Sequence, residues 1–174
     1  IMTSFGVMYQ QGALFGSMNL LENVTLFMQE YTQLTQSQMD LLARCKLDLV
    51  GLLPYETYMP SEISGGMQKR AAIARAMALN PRILFLDEPS AGLDPITSAD
   101  LDQTIMDLSK NLGITFVIVS HELASIYAIA DKVIMLDKAA KGIIAEGDPK
   151  VLRDTSTDPR VHQFFNRIMS KDAA

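Results

Sequence analysis

Residues 82–89 read RILFLDEP, a short branched and aromatic run that ends abruptly in two carboxylates and a proline. An unbroken apolar run of this length reads as a strand buried on both faces, as in a parallel sheet. Two further runs share the form: ITFVIVS at 114–120 and KVIMLD at 132–137. Weaker strands are expected at 4–9 and 142–146. Between them lie helical patterns. Residues 64–79 are rich in alanine and methionine, with Ser64 at the start and Asn80-Pro81 as a stop. Residues 94–112 open on Asp94-Pro95, a cap followed by proline at the first helical position, and end at Gly113. Strands alternating with helices predict an α/β lobe built on a parallel sheet. The segment 17–60 carries leucine, glutamine and threonine at helical spacing and no convincing strand, so it reads as a helical insert. An amphipathic helix is expected at 159–169, followed by a polar tail.

The chain has 174 residues, enough for one ordinary domain with a sizeable core. Twenty acidic residues outnumber fifteen basic ones, for a net charge of −5, and this balance gives no general attraction to nucleic acid. Cys45 is the single cysteine and cannot form an internal disulfide, which points to a reducing compartment. No apolar run approaches the roughly 18 to 20 residues of a spanning helix. The opening IMTSFGVMYQQ has neither the basic start nor the small-residue cleavage site of a signal peptide. It also begins at Ile1 and not at an initiator methionine, which suggests a fragment.

Four places carry candidate chemistry. Asp87 and Glu88 point to opposite sides of their strand, so they suit different tasks at the carboxyl end of a parallel sheet. One carboxylate suits a magnesium shell and the next suits orienting a water for attack on phosphate. On its own, the pair is better explained as a solvated acidic turn. The turn SEISGGMQKR places Ser64, Gly65 and Gly66 at a helix start, where backbone amides and the helix dipole favour an anion. A flexible capped turn is the plainer reading of Ser-Gly-Gly, and a solvated basic face accounts for Lys69, Arg70 and Arg75. His121 follows the strand ITFVIVS and sits at the same expected sheet edge, where it is able to hydrogen-bond a phosphate. Gln10 follows the strand SFGVMY, where its amide suits a magnesium ligand or a water-orienting group. His162 reads as a partly exposed helix position, and Asp131 and Asp137 as strand boundaries.

Taken in order, Gln10, Ser-Gly-Gly, a strand with Asp-Glu, AGLD and a strand with a histidine resemble the nucleotide-binding subunit of an ABC transporter. The segments QQGALFGSMNLLENV, ISGGMQKRAAIARAMALNP, LDEPSAGLDPIT and DPRVHQFF look closest to ATPases of the Mla type, which energise lipid transport between bacterial membranes. The resemblance implies a P-loop NTPase-like (RecA-like) parallel sheet lobe, incomplete, with an α-helical subdomain. It divides the chain into the end of an N-terminal lobe and Q-loop at 1–15 and a helical subdomain at 16–63. The signature, Walker B, D-loop and switch regions then occupy 64–158, and a C-terminal helix and tail 159–174. It implies ATP and Mg2+ as cofactors, with Gln10 and Asp87 at the metal. Glu88 would act on the attacking water, and His121 would contact the γ-phosphate. Ser64, Gly65 and Gly66 would touch the γ-phosphate of a nucleotide held mainly by a second copy. Asp94 would belong to the D-loop at the dimer interface, though capping its helix is equally credible. Implied partners are that second copy, a membrane permease received by the helical insert and, through the complex, an MCE-type substrate-binding protein. No nucleic acid is expected, and the place is peripheral, on the cytoplasmic face of the inner membrane. Ile63 and Met67 depart from the family's usual Leu-Ser-Gly-Gly-Gln.

Two other classes compete: a soluble ABC-type ATPase acting on DNA or ribosomes, and a non-catalytic docking module. The first usually carries a coiled-coil insert and a more basic surface. The second gains from the lack of any Gly-Lys dipeptide, hence of the G-x-x-x-x-G-K-[ST] loop that cradles phosphates. In the family that loop precedes the Q-loop, so the chain is expected to be the C-terminal two-thirds of a subunit. With the main phosphate cradle missing, this polypeptide alone should bind ATP weakly or not at all. Calorimetric titration with Mg-ATP checks this, and micromolar affinity would contradict it.

Overall fold

The computed structural model describes residues 4–167, in two compact units that divide between Ser120 and His121. In the first unit β1 (Phe5–Met8), β2 (Ile83–Asp87) and β3 (Thr115–Val119) form a parallel sheet in the order β1-β2-β3. The register pairs Val7 with Phe85 and Phe85 with Val117, and Asp87 faces Val119. Since side chains alternate along a strand, Leu84 and Leu86 turn together into the core while Ile83 and Phe85 turn to the other side. Gly6 lies so close to the Ala76 carbonyl and the Leu84 side chain that a Cβ has no room there. That close approach seats β1 against the helix before β2.

The helices follow from their caps. α1 (Leu20–Tyr31) starts with a reciprocal box in which Asn19 accepts from the Glu22 amide at 2.9 Å and Glu22 accepts from the Asn19 amide at 2.8 Å. α2 (Gln36–Leu49) repeats the device with Thr35 and Gln38. α3 (Gly65–Ala76) is capped by Ser64 and α4 (Pro95–Leu112) by Asp94, and α4 stops at Gly113, whose φ is 65°. Leu20, Val24 and Met28 of α1, Ala43 and Leu47 of α2, and Ile73 of α3 with the following Met77 form the buried core of this unit. Buried Asn23 ties the incoming loop to α1, accepting from the Phe15 amide at 2.8 Å and donating to the Phe15 and Met18 carbonyls.

The second unit contains α5 (Leu123–Ile129), β4 (Val133–Asp137), β5 (Gly142–Gly147), α6 (Pro149–Thr155) and α7 (Pro159–Asn166). Leu123, Val161 and Phe165 form its core, and the Tyr127 hydroxyl donates to the Phe165 carbonyl at 3.0 Å. Arg160 reaches Asp137 at 2.7 Å, so Asp137 both ends β4 and anchors α7. His162 is exposed on α7. The expected helix at 159–169 is thus seen to Asn166; its last two residues and the polar tail lie outside the described residues.

Three expectations need correction. The strands are not buried on both faces: Phe85 is 40% exposed, Val117 43% and Val119 62%. Helices α3 and α4 pack on one side of the sheet only, and Phe5 meets Phe85 edge to face at 5.8 Å on the open side. β4 and β5 pair antiparallel and form a separate sheet, because the four-residue link 138–141 is far shorter than a parallel crossover requires. Lys69 and Arg75 are buried, not part of a solvated basic face. The open apolar face makes self-association the expected behaviour of this chain. Light scattering should show a mass that rises with concentration, and Val117→Lys with Val119→Lys should lower it. A monodisperse monomer that binds no hydrophobic dye would contradict this.

Candidate functional site

Parallel pairing brings the carboxyl ends of β1 and β2 side by side, since Met8 lies opposite Leu86. The residues that follow, Gln10 in the turn after β1 and Asp87 and Glu88 at the end of β2, therefore leave from one edge of the sheet. Asp87 is exposed and Glu88 half-buried. Glu88 sits in the left-handed region, with φ of 45°, a conformation that costs an L-residue roughly 1–2 kcal/mol. Its main chain is held from three sides. The amide donates to the Val119 carbonyl at 2.9 Å, and the carbonyl accepts from the Ala91 amide at 3.1 Å and from Lys69 Nζ at 3.5 Å.

After β1 the chain makes a tight turn, in which the Gly12 amide donates to the Tyr9 carbonyl at 2.7 Å. Gly12 has φ of 72°, and a Cβ there would press on Ala72 at 3.3 Å. Buried side chains of α3 fasten this turn. Lys69 Nζ donates to the Gln10 carbonyl, and Arg75 donates to the carbonyls of Ala13 and Gly12, the latter at 3.3 Å. The Arg75 guanidinium also lies over the rings of Phe15 at 5.8 Å and Phe27 at 5.7 Å. Burial lowers the affinity of both cations for their protons; at Lys69 the charges of Asp87 and Glu88 oppose that effect. The sequence carries a partial signal: the run Ala71, Ala72, Ile73 and Ala74 marks this stretch of α3 as buried, but it does not say which cations are buried with it.

At the start of α3, Ser64 Oγ accepts from the Met67 amide at 3.3 Å and the Ser64 carbonyl accepts from the Gln68 amide at 2.9 Å. The amides of Gly65 and Gly66, in the first turn, have no acceptor within the helix. Gly66 has a second job: a Cβ there would collide with the methyl of Thr97 on α4. Thr97 in turn donates its hydroxyl to Asp94 Oδ2 at 2.5 Å, and Asp94 Oδ1 accepts from the Ile96 and Thr97 amides at 3.1 Å each. One threonine thus joins the Ser-Gly-Gly turn to the Asp94 cap. His121 opens the second unit, exposed, two residues after β3 ends.

A cavity of about 240 Å³ lies elsewhere, at the amino ends of β2 and β3, lined by Lys46, Asn80, Arg82 and Ile114 among others. Lys46 donates there to Asn80 at 2.5 Å. This cavity lies at the opposite end of the sheet from the candidate chemistry. Among the described residues no three His, Cys, Asp or Glu side chains cluster as a metal cage. Asp87 fits the alternative, in which magnesium takes one or two carboxylates and completes its shell with phosphates and water.

The sequence profile described as ABC transporter matches residues 2–91, just over half of the chain. The chain belongs to the ABC transporter family. Relatives agree with that placement. A probable ribonucleotide transport ATP-binding protein of Mycobacterium leprae is 44% identical over 166 residues, which is 95% of this chain and 47% of that protein. The intermembrane phospholipid transport system ATP-binding protein MlaF of Escherichia coli is 43% identical over 162 residues, 93% of this chain and 59% of that one. This ABC-family chain thus spans about half the length of the curated relatives it matches. The solved structure of cbiO1 from Clostridium perfringens, part of an ABC transporter complex, superposes with a TM-score of 0.77 at 26% identity, over 95% of this chain and 68% of that chain. A dimeric ATP-binding cassette in a post-hydrolysis state with ADP and Pi gives 0.70 at 28% identity, over 83% of this chain and 62% of that chain.

Hydrogen bonds from Thr97 hold the Asp94 carboxyl below the usual carboxylate range. The stabilisation from this cap is therefore complete above the unfolded aspartate value of about 4. It disappears as pH falls through the lower folded value. Asp94→Ala should destabilise the ABC-family chain at neutral pH, and the gap to the parent chain should close in strong acid. Denaturant unfolding across that pH range measures it.

Proposed function

We propose that this chain is part of the ATP-hydrolysing subunit of an ABC transporter that moves phospholipid or a lipid-like solute in the bacterial envelope. The observation that carries the reading is the juxtaposition of Gln10 with Asp87 and Glu88 on adjacent parallel strand ends, beside a helix whose Ser64 start offers open amides. Relatives named for intermembrane phospholipid transport support the choice of cargo.

Bound Mg-ATP supplies the phosphoanhydride bond and a divalent charge that offsets its phosphates. Asp87 is assigned to the magnesium shell with the Gln10 amide. Glu88 orients the attacking water and accepts its proton. His121 donates a hydrogen bond to the γ-phosphate. Ser64 and the amides of Gly65 and Gly66 receive the γ-phosphate of a nucleotide held by a second copy, with Asp94 at that interface. Segment 16–63 is assigned as the helical subdomain that docks a permease. Residues 1–15 and 64–158 are assigned to the nucleotide-binding lobe, and 159–174 form the C-terminal extension. No helix among the described residues is long and apolar enough to cross a membrane. Peripheral attachment at the cytoplasmic face of the inner membrane, through the permease and alongside an MCE-type protein, is the place this reading gives the subunit.

In the full-length protein, Glu88→Gln should keep nucleotide binding and lower turnover by roughly 10²- to 10⁴-fold, the range for losing a general base. His121→Ala should also suppress hydrolysis. Phosphate release and nucleotide-binding assays on the same preparations check both, and near-normal release by the glutamine variant would remove Glu88 from its role.

A further inference from the structure

Lys69 touches both strand ends assigned to chemistry. It lies in the second turn of α3 and is 9% exposed. Its Nζ donates to the carbonyl of Gln10, 59 residues away in sequence, and to that of Glu88, 19 residues away. An ammonium taken out of water is unfavourable unless its donors are used. Here Nζ meets two main-chain carbonyls, and the nearby negative charges are Asp87 and Glu88. Carbonyl bonds fix backbone positions whatever the side chains do, so this contact acts on where Gln10 and Glu88 start, not on their own chemistry. The same α3 begins at the Ser-Gly-Gly turn, one and a half turns before Lys69.

We infer that Lys69 is a positioning residue: it ties the backbones of Gln10 and Glu88 to the helix that carries the Ser-Gly-Gly turn. A displacement of that turn is then passed through α3 to the carboxylate that orients water. The Glu88 backbone is the receptive end, because its left-handed conformation persists only under such external restraint. The inference rests on the functional reading above for its catalytic consequence, and on the geometry alone for the tether.

Two measurements on Lys69→Met and Lys69→Arg separate these. In the full-length protein assembled with its permease, Lys69→Met should lower kcat by up to roughly 100-fold, the scale of a small misplacement of a catalytic group. KM for ATP and the thermal midpoint should stay close to those of the parent, and Lys69→Arg should restore most of kcat. In the same variants, hydrogen exchange at the Gly12 and Ala91 amides should quicken in Lys69→Met, while the amides of β2 keep their protection. Unchanged kcat with unchanged exchange overturns the inference. A loss of kcat that follows a fall in thermal midpoint, with no rescue by arginine, also overturns it. Should the parent protein hydrolyse no ATP, the functional reading falls, while faster exchange at the two turns still supports the tether.

Discussion

The parallel pairing of β2 with a neighbour on each side is the constraint on which the remainder depends. It sends β1, β2 and β3 out of the sheet in the same direction, so residues scattered over more than a hundred positions leave from one edge. An antiparallel arrangement of the same strands would put the residues after β1 and after β2 at opposite ends. The pairing also sets which side chains of β2 are covered, because Leu84 and Leu86 must face the helices together. Chemistry and packing thus share one origin in a single register.

Around that edge the connecting backbone is held mainly by side chains from α3. Lys69 and Arg75 spend their donors on carbonyls of the turn after β1, and Arg75 adds two aromatic faces. This satisfies acceptors that a turn close to a buried helix would otherwise leave without partners. Buried cations facing carbonyls are a costly way to fix a loop, and apolar packing is cheaper. What carbonyl bonds add is direction: they hold the turn at a defined height along the helix axis.

Much of this was legible beforehand. The strand at 82–87 and the helix from Asp94-Pro95 to Gly113 appear where local residue chemistry puts them, because caps and stops act over a few residues. Family resemblance came from the order of weak signals and not from any one of them. Three features escaped for physical reasons. Coverage of a strand depends on what packs above it, so an apolar run at 82–87 looks the same whether one face or two are buried. The short helices α5 and α6 lack a long periodic stripe, although Asp148-Pro149 repeats the Asp94-Pro95 start and would have disclosed α6. Lys69 and Arg75 were misread because a cation's burial is decided by contacts some sixty residues distant.

Glu88 combines a left-handed backbone with the carboxylate on which the proposed chemistry turns. Glycine or asparagine would adopt that backbone at less cost. Selection for folding and selection for chemistry therefore pull this position in opposite directions. A search for heat-resistant variants, conducted without regard to turnover, would drift toward those residues at 88 and trade the enzyme for a sturdier scaffold. Retention of glutamate there in spite of its backbone would be a signature of function written in strain.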